Sequence, residues 1–335
     1  MVQDIPEYIE ARTRLTTGPI LVTGGTGFIG AHLIRQLVAL GVRVHVLVRP
    51  GANPWRLAEV QDRLTWHEAD LTDHASITSV AKQVRPAWIF HLAAMVDAAR
   101  DPSLFPEMWR TNCVGTWNLL SACSPHQIER CVCLGSLEEY GSTTPPFDET
   151  QREIPVSPYG LTKCWSTHLA QWFYRVEGCP VVVLRAGVVY GPGQLCGALI
   201  PEVIRHCLEE TPMALTPGEQ RRDFTYVSDV IDAAVHAAYA PNVAGEIINV
   251  GTGIGRAVRT VAVQIRSLMG SKTPLHFGQR AYRSHEIMNA TARIEKAQHL
   301  LGWSVSVSLD EGLRHTIQWY HDHATDRVLK PEGTG

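Results

Sequence analysis

Apolar residues recur along the first half of the chain in two alternating rhythms. Short apolar runs read as strands: PILVTG (19–24), VRVHVLV (42–48), LTWHEADL (64–71), AWIFHLAA (87–94) and RCVCLGS (130–136). Between them, FIGAHLIRQLVAL (28–40), HASITSVAKQV (74–84) and EMWRTNCVGTWNLLSAC (107–123) carry the period of helices with one buried face. A further helix is predicted around YGLTKCWSTHLAQWFYRV (159–176), leading into one strand through PVVVLRAGVVYG (180–191). Strands alternating with helices imply right-handed crossovers and a parallel sheet covered on both faces. The fold class expected is α/β, a doubly wound parallel sheet whose ligand site lies at the carboxyl ends of the strands.

From about residue 188 the rhythm loosens into short helices, Pro and Gly clusters and isolated strands such as GEIINVG (245–251). This predicts a smaller lobe over 188–320, with some segments returning to the sheet. Residues 1–17 read as an arm and 321–335 as a polar tail. A length of 335 residues suits a main domain with a smaller lobe. With 45% hydrophobic and 19% charged residues, a packed core is expected. The net charge of −3 gives no pull toward nucleic acid or an anionic membrane. No apolar run has the length of a membrane span, and the first residues lack the apolar core of a signal peptide. The eight cysteines form no CxxC pair and read as buried reduced thiols, which points to a cytoplasmic protein. The 15 histidines show no HExxH spacing, so no metal site is expected.

GGTGFIG (24–30) sits between a strand and a helix. Gly24 and Gly27 would let the backbone turn tightly against a pyrophosphate, and Gly30 would let helix and strand pack closely. Residues 18–187 are therefore expected to bind a dinucleotide. The second strand of such a unit often ends in an acid that takes the ribose hydroxyls of NAD. Here it ends Val48-Arg49. Arg49 suits the 2′-phosphate of NADP, which favours NADP(H) with NAD(H) possible; the other reading is a solvated loop residue. Arg56 would add a second contact. Asp70 reads either as an acceptor for the adenine amino group or as a helix cap in DLTD.

SPYGLTK places Tyr159 and Lys163 on one helix face. An adjacent ammonium and an oxidised nicotinamide both favour the phenolate, so Tyr159 is expected to exchange protons near neutral pH. Lys163 would also hold the nicotinamide ribose, and Ser136 at a strand end would bond the same substrate oxygen.

Together these motifs resemble an extended short-chain dehydrogenase/reductase of the nucleotide-sugar epimerase/dehydratase/reductase branch. The resemblance spans about residues 18 to 320. It rests on TGGTGFIG, HLAA, NCVGT, GSLEEYG, YGLTK, RRDFTYVSDV, NVGTG and the LGW near residue 302. It implies a Rossmann sheet and a catalytic set of Ser136, Tyr159 and Lys163. The implied cofactor set adds Phe28, Ile29, Leu71, Leu92, Ala93 and Ala94 to Gly24, Gly27, Gly30, Arg49 and Asp70. The implied substrate set is Met95, Asn112, Arg222, Arg283 and Glu286. Of these, Arg222 in RRDF and Arg283 in YRSHE would hold the diphosphate and Glu286 the nucleoside ribose. Many relatives carry Asn where this chain has Val188, so the phosphate clamp differs. The helices around 106–123 and 159–177 match those that pair subunits into a four-helix bundle, which implies a homodimer.

Three reactions share hydride transfer at a sugar carbon. Leu137 excludes the Asp-Glu pair of one dehydratase type, while Glu138 remains available as a lone acid. GSLEEYG and LVRPGANPWRL also resemble reductases that use NADPH. Reduction of a 4-keto-6-deoxy sugar nucleotide ranks first, 4,6-dehydration second and 4-epimerisation third. A different class, an NADP-binding sensor without turnover, is disfavoured by the intact Ser-Tyr-Lys set.

Overall fold

The computed structural model describes residues 13–123, 128–195 and 197–323. Most of the N-terminal arm, most of the tail and Cys196 lie outside the described residues. The strands, in chain order, begin with β1 (Ile20–Thr23), β2 (Val44–Val48), β3 (Leu64–Glu68), β4 (Trp88–His91), β5 (Arg130–Ser136) and β6 (Val181–Ala186). They continue with β7 (Val188–Tyr190), β8 (Met213–Leu215), β9 (Arg221–Tyr226), β10 (Ile247–Val250), β11 (Gly255–Ala257), β12 (Leu275–Phe277) and β13 (Asn289–Ala290). Seven of them form one parallel sheet in the order β10-β6-β5-β4-β1-β2-β3. The order reverses between β1 and β4, which opens a crevice at their carboxyl ends.

The strand residues alternate between the two faces. Ile20, Val22, Val46, Phe90 and Leu184 pack against α1 (Phe28–Ala39) and a later helix, Val227–Tyr239. Leu21, Leu47, Ile89, Cys131 and Val183 pack on the other face with α2 (His74–Val84) and the helices from Phe105 to Ala122 and Pro158 to Glu177. All seven described cysteines are free and buried, as expected.

Two predicted elements break where the sequence reads as continuous. PVVVLRAGVVYG splits at Gly187: β6 joins the large sheet, whereas β7 pairs with β9 in a small sheet with β11 and β13. A Cβ at Gly187 would lie 2.6 Å from the Asp223 carbonyl oxygen, so only glycine permits this close crossing. The helix predicted over 107–123 is three pieces: α3 (Phe105–Met108), a π-helical segment (Trp109–Val114) and α4 (Gly115–Ala122). The Asn112 carbonyl accepts from the Thr116 hydroxyl at 2.5 Å and the Ser166 hydroxyl at 2.8 Å, which diverts it from the regular helical ladder.

One buried ion pair joins these layers. Arg185, near the end of β6, has no exposed side-chain surface. Its Nε donates to Glu139 Oε2 at 2.8 Å, and its Nη2 donates to Glu153 Oε1 at 2.5 Å. Its guanidinium lies 4.6 Å from the centre of the Tyr140 ring. Glu139 also accepts from the Thr167 hydroxyl and from the Ser136 amide, both at 2.8 Å. Removing one partner of such a pair strands a buried charge. Arg185→Ala should cost about 3–5 kcal/mol of stability. Urea unfolding should show a smaller loss for Arg185→Met combined with Glu139→Gln, which removes both charges.

Candidate active site

The glycine turn follows β1 directly. Gly24 has φ +71°, and a Cβ there would lie 2.6 Å from the Ala93 amide nitrogen. A Cβ at Gly30 would lie 2.2 Å from the Gly24 carbonyl oxygen. Gly27 caps α1 with no side-chain hydrogen bond, and no acid stands in the first turn. The free amides there, at Phe28 and Ile29, suit a pyrophosphate. This cradle fits a dinucleotide.

The floor of the crevice is fixed by His91. The Thr116 hydroxyl spends its proton on the Asn112 carbonyl, so at 2.9 Å it accepts from His91 Nε2–H. Nδ1 then accepts from the Thr23 hydroxyl at 2.7 Å. Thr23 Oγ1 in turn accepts from the Ala93 amide at 3.3 Å, which holds the Leu92–Ala94 turn beside the glycines. Leu71 is buried, and its carbonyl accepts from Asn118 Nδ2 at 2.8 Å.

Arg49 is exposed at the end of β2. Asp70 Oδ1 accepts from the Thr72 amide and hydroxyl, both at 2.8 Å. These bonds, and then the charge of Arg49, hold the Asp70 carboxyl below its usual range. Asp70 closes a turn and does not cap the helix; that role falls to Asp73, which accepts from the Ala75 amide at 3.0 Å. Arg56 differs from expectation too. Its guanidinium clamps the Gly193 carbonyl at 2.9 Å and the Thr26 carbonyl at 3.2 Å, and covers the Trp55 ring. It therefore ties the glycine turn to the loop after β7.

Ser136 ends β5 and caps a short turn over Leu137–Glu139. Its Oγ accepts from the Glu138 amide at 3.2 Å, and the Glu139 carboxylate answers on the Ser136 amide. The helix α5 (Pro158–Glu177) opens on a Ser157 cap with Pro158 in its first turn. One turn apart on its inner face stand Tyr159 and Lys163. Ser136 stands close enough to Tyr159 to act on its phenol. Lys163 donates to the Leu134 carbonyl at 2.5 Å. Burial pushes the Tyr159 phenol up, against the pull of Ser136 and with the charges of Glu139 and Glu138 adding to it. Burial likewise pulls the Lys163 ammonium down. In the protein alone desolvation dominates the phenol, and the Lys163 ammonium donates to a backbone carbonyl.

Leu137 is buried in a small core with Tyr140 and Phe147. Glu138 Oε2 pairs with Arg100 Nη1 at 3.1 Å and accepts from the Ser157 hydroxyl at 3.4 Å. Arg100 escaped the sequence reading, because nothing local to its loop marks it. Its Nε and Nη2, the fork side of the guanidinium, are buried without a hydrogen-bond partner among the described residues. On the far wall, Arg222 is ion-paired with Glu286 and donates to the Ile287 carbonyl at 2.6 Å. Arg283, exposed, reaches the Ala98 carbonyl at 3.1 Å. The charge of Glu138 acts on Arg222, which brings the two side chains within electrostatic reach of each other. Asn112 corrects its expected role. Its amide bonds the Met95 amide at 2.8 Å, the Met95 carbonyl at 3.1 Å and Thr162 Oγ1 at 3.0 Å, so it positions the Met95 loop and has no donor left for a substrate. Val188 is partly exposed on β7.

Residues 20–251 match the NAD dependent epimerase/dehydratase family. The chain belongs to this family. It is an enzyme of the extended short-chain dehydrogenase/reductase type. It is 32% identical over 339 residues to a dTDP-glucose 4,6-dehydratase of Neisseria meningitidis, covering 91% of this chain and 94% of that one. It is 30% identical over 311 residues to a UDP-glucose epimerase, YtcB, of Bacillus subtilis that is described as uncharacterized, covering 90% and 97%. The fold matches the UDP-glucuronic acid 4-epimerase of Bacillus cereus, solved with UDP-glucuronic acid and NAD, with a TM-score of 0.83, 27% identity and coverage of 91% and 99%. These relatives support nucleotide-sugar dehydratase or epimerase chemistry with a nicotinamide cofactor. They give no support to the 4-keto reduction ranked first or to a preference for NADP. Among the described residues no helix is long and apolar enough to cross a membrane.

Burial and the charge of Lys163 hold the His91 pKa down at about 3. In the unfolded chain it returns to about 6.5. The unfolded state therefore binds a proton that the folded state refuses, and stability falls as pH drops from about 6.5 toward 3, by up to about 1.4 kcal/mol per pH unit for this group. His32, His45 and His67, also lowered by burial, act in the same direction. Denaturation midpoints across this range should show the slope, and His91→Gln should remove about one proton's share of it.

Proposed function

We propose that the enzyme is a nucleotide-sugar 4-epimerase that retains NAD through its cycle. The observation that carries this reading is what surrounds the strand-end serine. Ser136, Tyr159 and Lys163 can move one proton at one hydroxyl, while Leu137 is buried and Glu138 is held by Arg100 and Ser157. Dehydration needs a further acid and base beside the sugar. It remains the second reading because Glu138 stands next to the catalytic serine. Reduction by NADPH rested on Arg49. Asp70 faces that arginine with an opposite charge, and the Bacillus cereus relative holds NAD. NAD is the better-supported cofactor.

When bound, NAD supplies a hydride acceptor and then a hydride donor. Tyr159 Oη takes the proton of the sugar C4 hydroxyl and returns it to the oxygen on the inverted carbon. Its raised pKa comes down toward neutrality beside the positive charge of an oxidised nicotinamide. Ser136 Oγ holds the same oxygen and orients the phenol. Lys163 holds the nicotinamide ribose. Arg222 and Arg283 turn to the diphosphate and Glu286 to the ribose, in the smaller lobe.

Incubation with UDP-glucose or UDP-glucuronic acid, with NAD and no reductant, should yield the C4 epimer by proton NMR. Tyr159→Phe should lower turnover by about 10²–10⁴-fold and leave NAD affinity unchanged. A 4-keto-6-deoxy product would establish the second reading, and stoichiometric NADPH consumption with a keto sugar would overturn both.

Trp109, Trp117, Trp165 and Trp172 are each more than a third exposed along the π-helical segment, α4 and α5. Trp109 lies against Trp165 and Trp117 against Trp172, making one apolar face across two helices. This supports a homodimer through a four-helix bundle. Light scattering should give twice the chain mass, and Trp172→Glu should shift it to the monomer.

A further inference from the structure

Behind the buried Arg185, the loop before α5 and that helix bring Glu153, the buried Cys164 and the exposed His168 together. Their ligand atoms all lie within 4.8 Å of one another. Cys164 and His168 are four residues apart on the helix, so their side chains leave the same face. Glu153 Oε2 lies 3.9 Å from His168 Nε2. The other oxygen of the same carboxylate, Oε1, accepts from Arg185 Nη2 at 2.5 Å. Buried Arg185 thus fixes the carboxylate and leaves its other oxygen beside the imidazole. A hydrogen bond on the far oxygen is how proteins orient a metal-ligating carboxylate.

We propose that Glu153, Cys164 and His168 form a binding site for a zinc-class divalent cation, with three protein ligands and water in the fourth position. One sulfur, one imidazole nitrogen and one carboxylate oxygen suit borderline-soft zinc or cobalt, whereas magnesium and calcium prefer oxygen alone. Zinc–ligand bonds of about 2.0–2.3 Å require the three atoms to draw somewhat closer. His168 can supply that movement, because its side chain is 57% exposed. Burial and the charges of Glu153 and Glu139 push the Cys164 thiol up to about 12, so a cation entering the site displaces its proton. This departs from the expectation of no metal site. The Cys-x-x-x-His spacing is legible in the helix, but the third ligand comes from a loop whose approach depends on Arg185.

The test uses the full chain, stripped with a chelator and titrated with cobalt(II) and then zinc. A single equivalent of cobalt should produce a thiolate-to-cobalt charge-transfer band, and zinc should erase it. Cys164→Ser should abolish the band. His168→Gln, at an exposed position that leaves the fold intact, should weaken zinc at least tenfold in competition with a chromophoric chelator. The proposal is overturned if the wild-type chain shows no band, if the band survives in Cys164→Ser, or if His168→Gln binds zinc as tightly as the wild type.

Discussion

The arrangement of the crevice depends on a charge placed where water cannot reach it. Arg185 and Glu139 are both fully buried, and each would be prohibitive alone. Burial opposes the charge on Arg185, yet Glu139, Tyr140 and Glu153 together outweigh it and hold the guanidinium above its ordinary pKa. The pair forms only if β6, the turn after β5, α5 and the Glu153 loop meet at one point. Gly135 makes room: a Cβ there would lie 2.7 Å from Glu139 Oε1. Because Glu139 also holds the Ser136 amide, the serine stands where the ion pair puts it. Thr167, bonded to the same carboxylate, fixes the helix that carries Tyr159 and Lys163.

What could be read in the sequence was local. The glycine turn, the strand–helix rhythm and the Tyr-Lys spacing each depend on residues within a few positions, and their elements lie where the sequence places them. What could not be read depends on register between distant segments. Gly187 separates two strands because Asp223 of β9 crosses it. Asn112 looks like a free polar side chain until Met95 and Thr162 claim its amide. Arg56 looks like a phosphate ligand until Thr26 and Gly193 claim its guanidinium. Arg100 carries no local signature at all.

Arg49 shows why a charge must be weighed with the charges that face it. A lone base at a strand end favours a phosphate, but an acid at the neighbouring strand end changes the field a phosphate would meet. The same holds for Glu138: as a residue type it offers acid–base chemistry, yet its Oε2 is engaged by Arg100 and Ser157. In both cases the identity of the side chain is legible and its availability is not.

The edge strand β10 has a consequence for the nascent chain. It lies beside β6, and the Gly245 amide donates to the Val181 carbonyl at 2.6 Å while Lys296 reaches the Ile247 carbonyl at 2.6 Å. On the ribosome β6 emerges well before its neighbour, so its open edge waits through the synthesis of β7, β8 and β9. The small sheets are therefore a detour within the building of the large one. A ribosome that stalls between these two strands leaves the last pairing of the large sheet unmade.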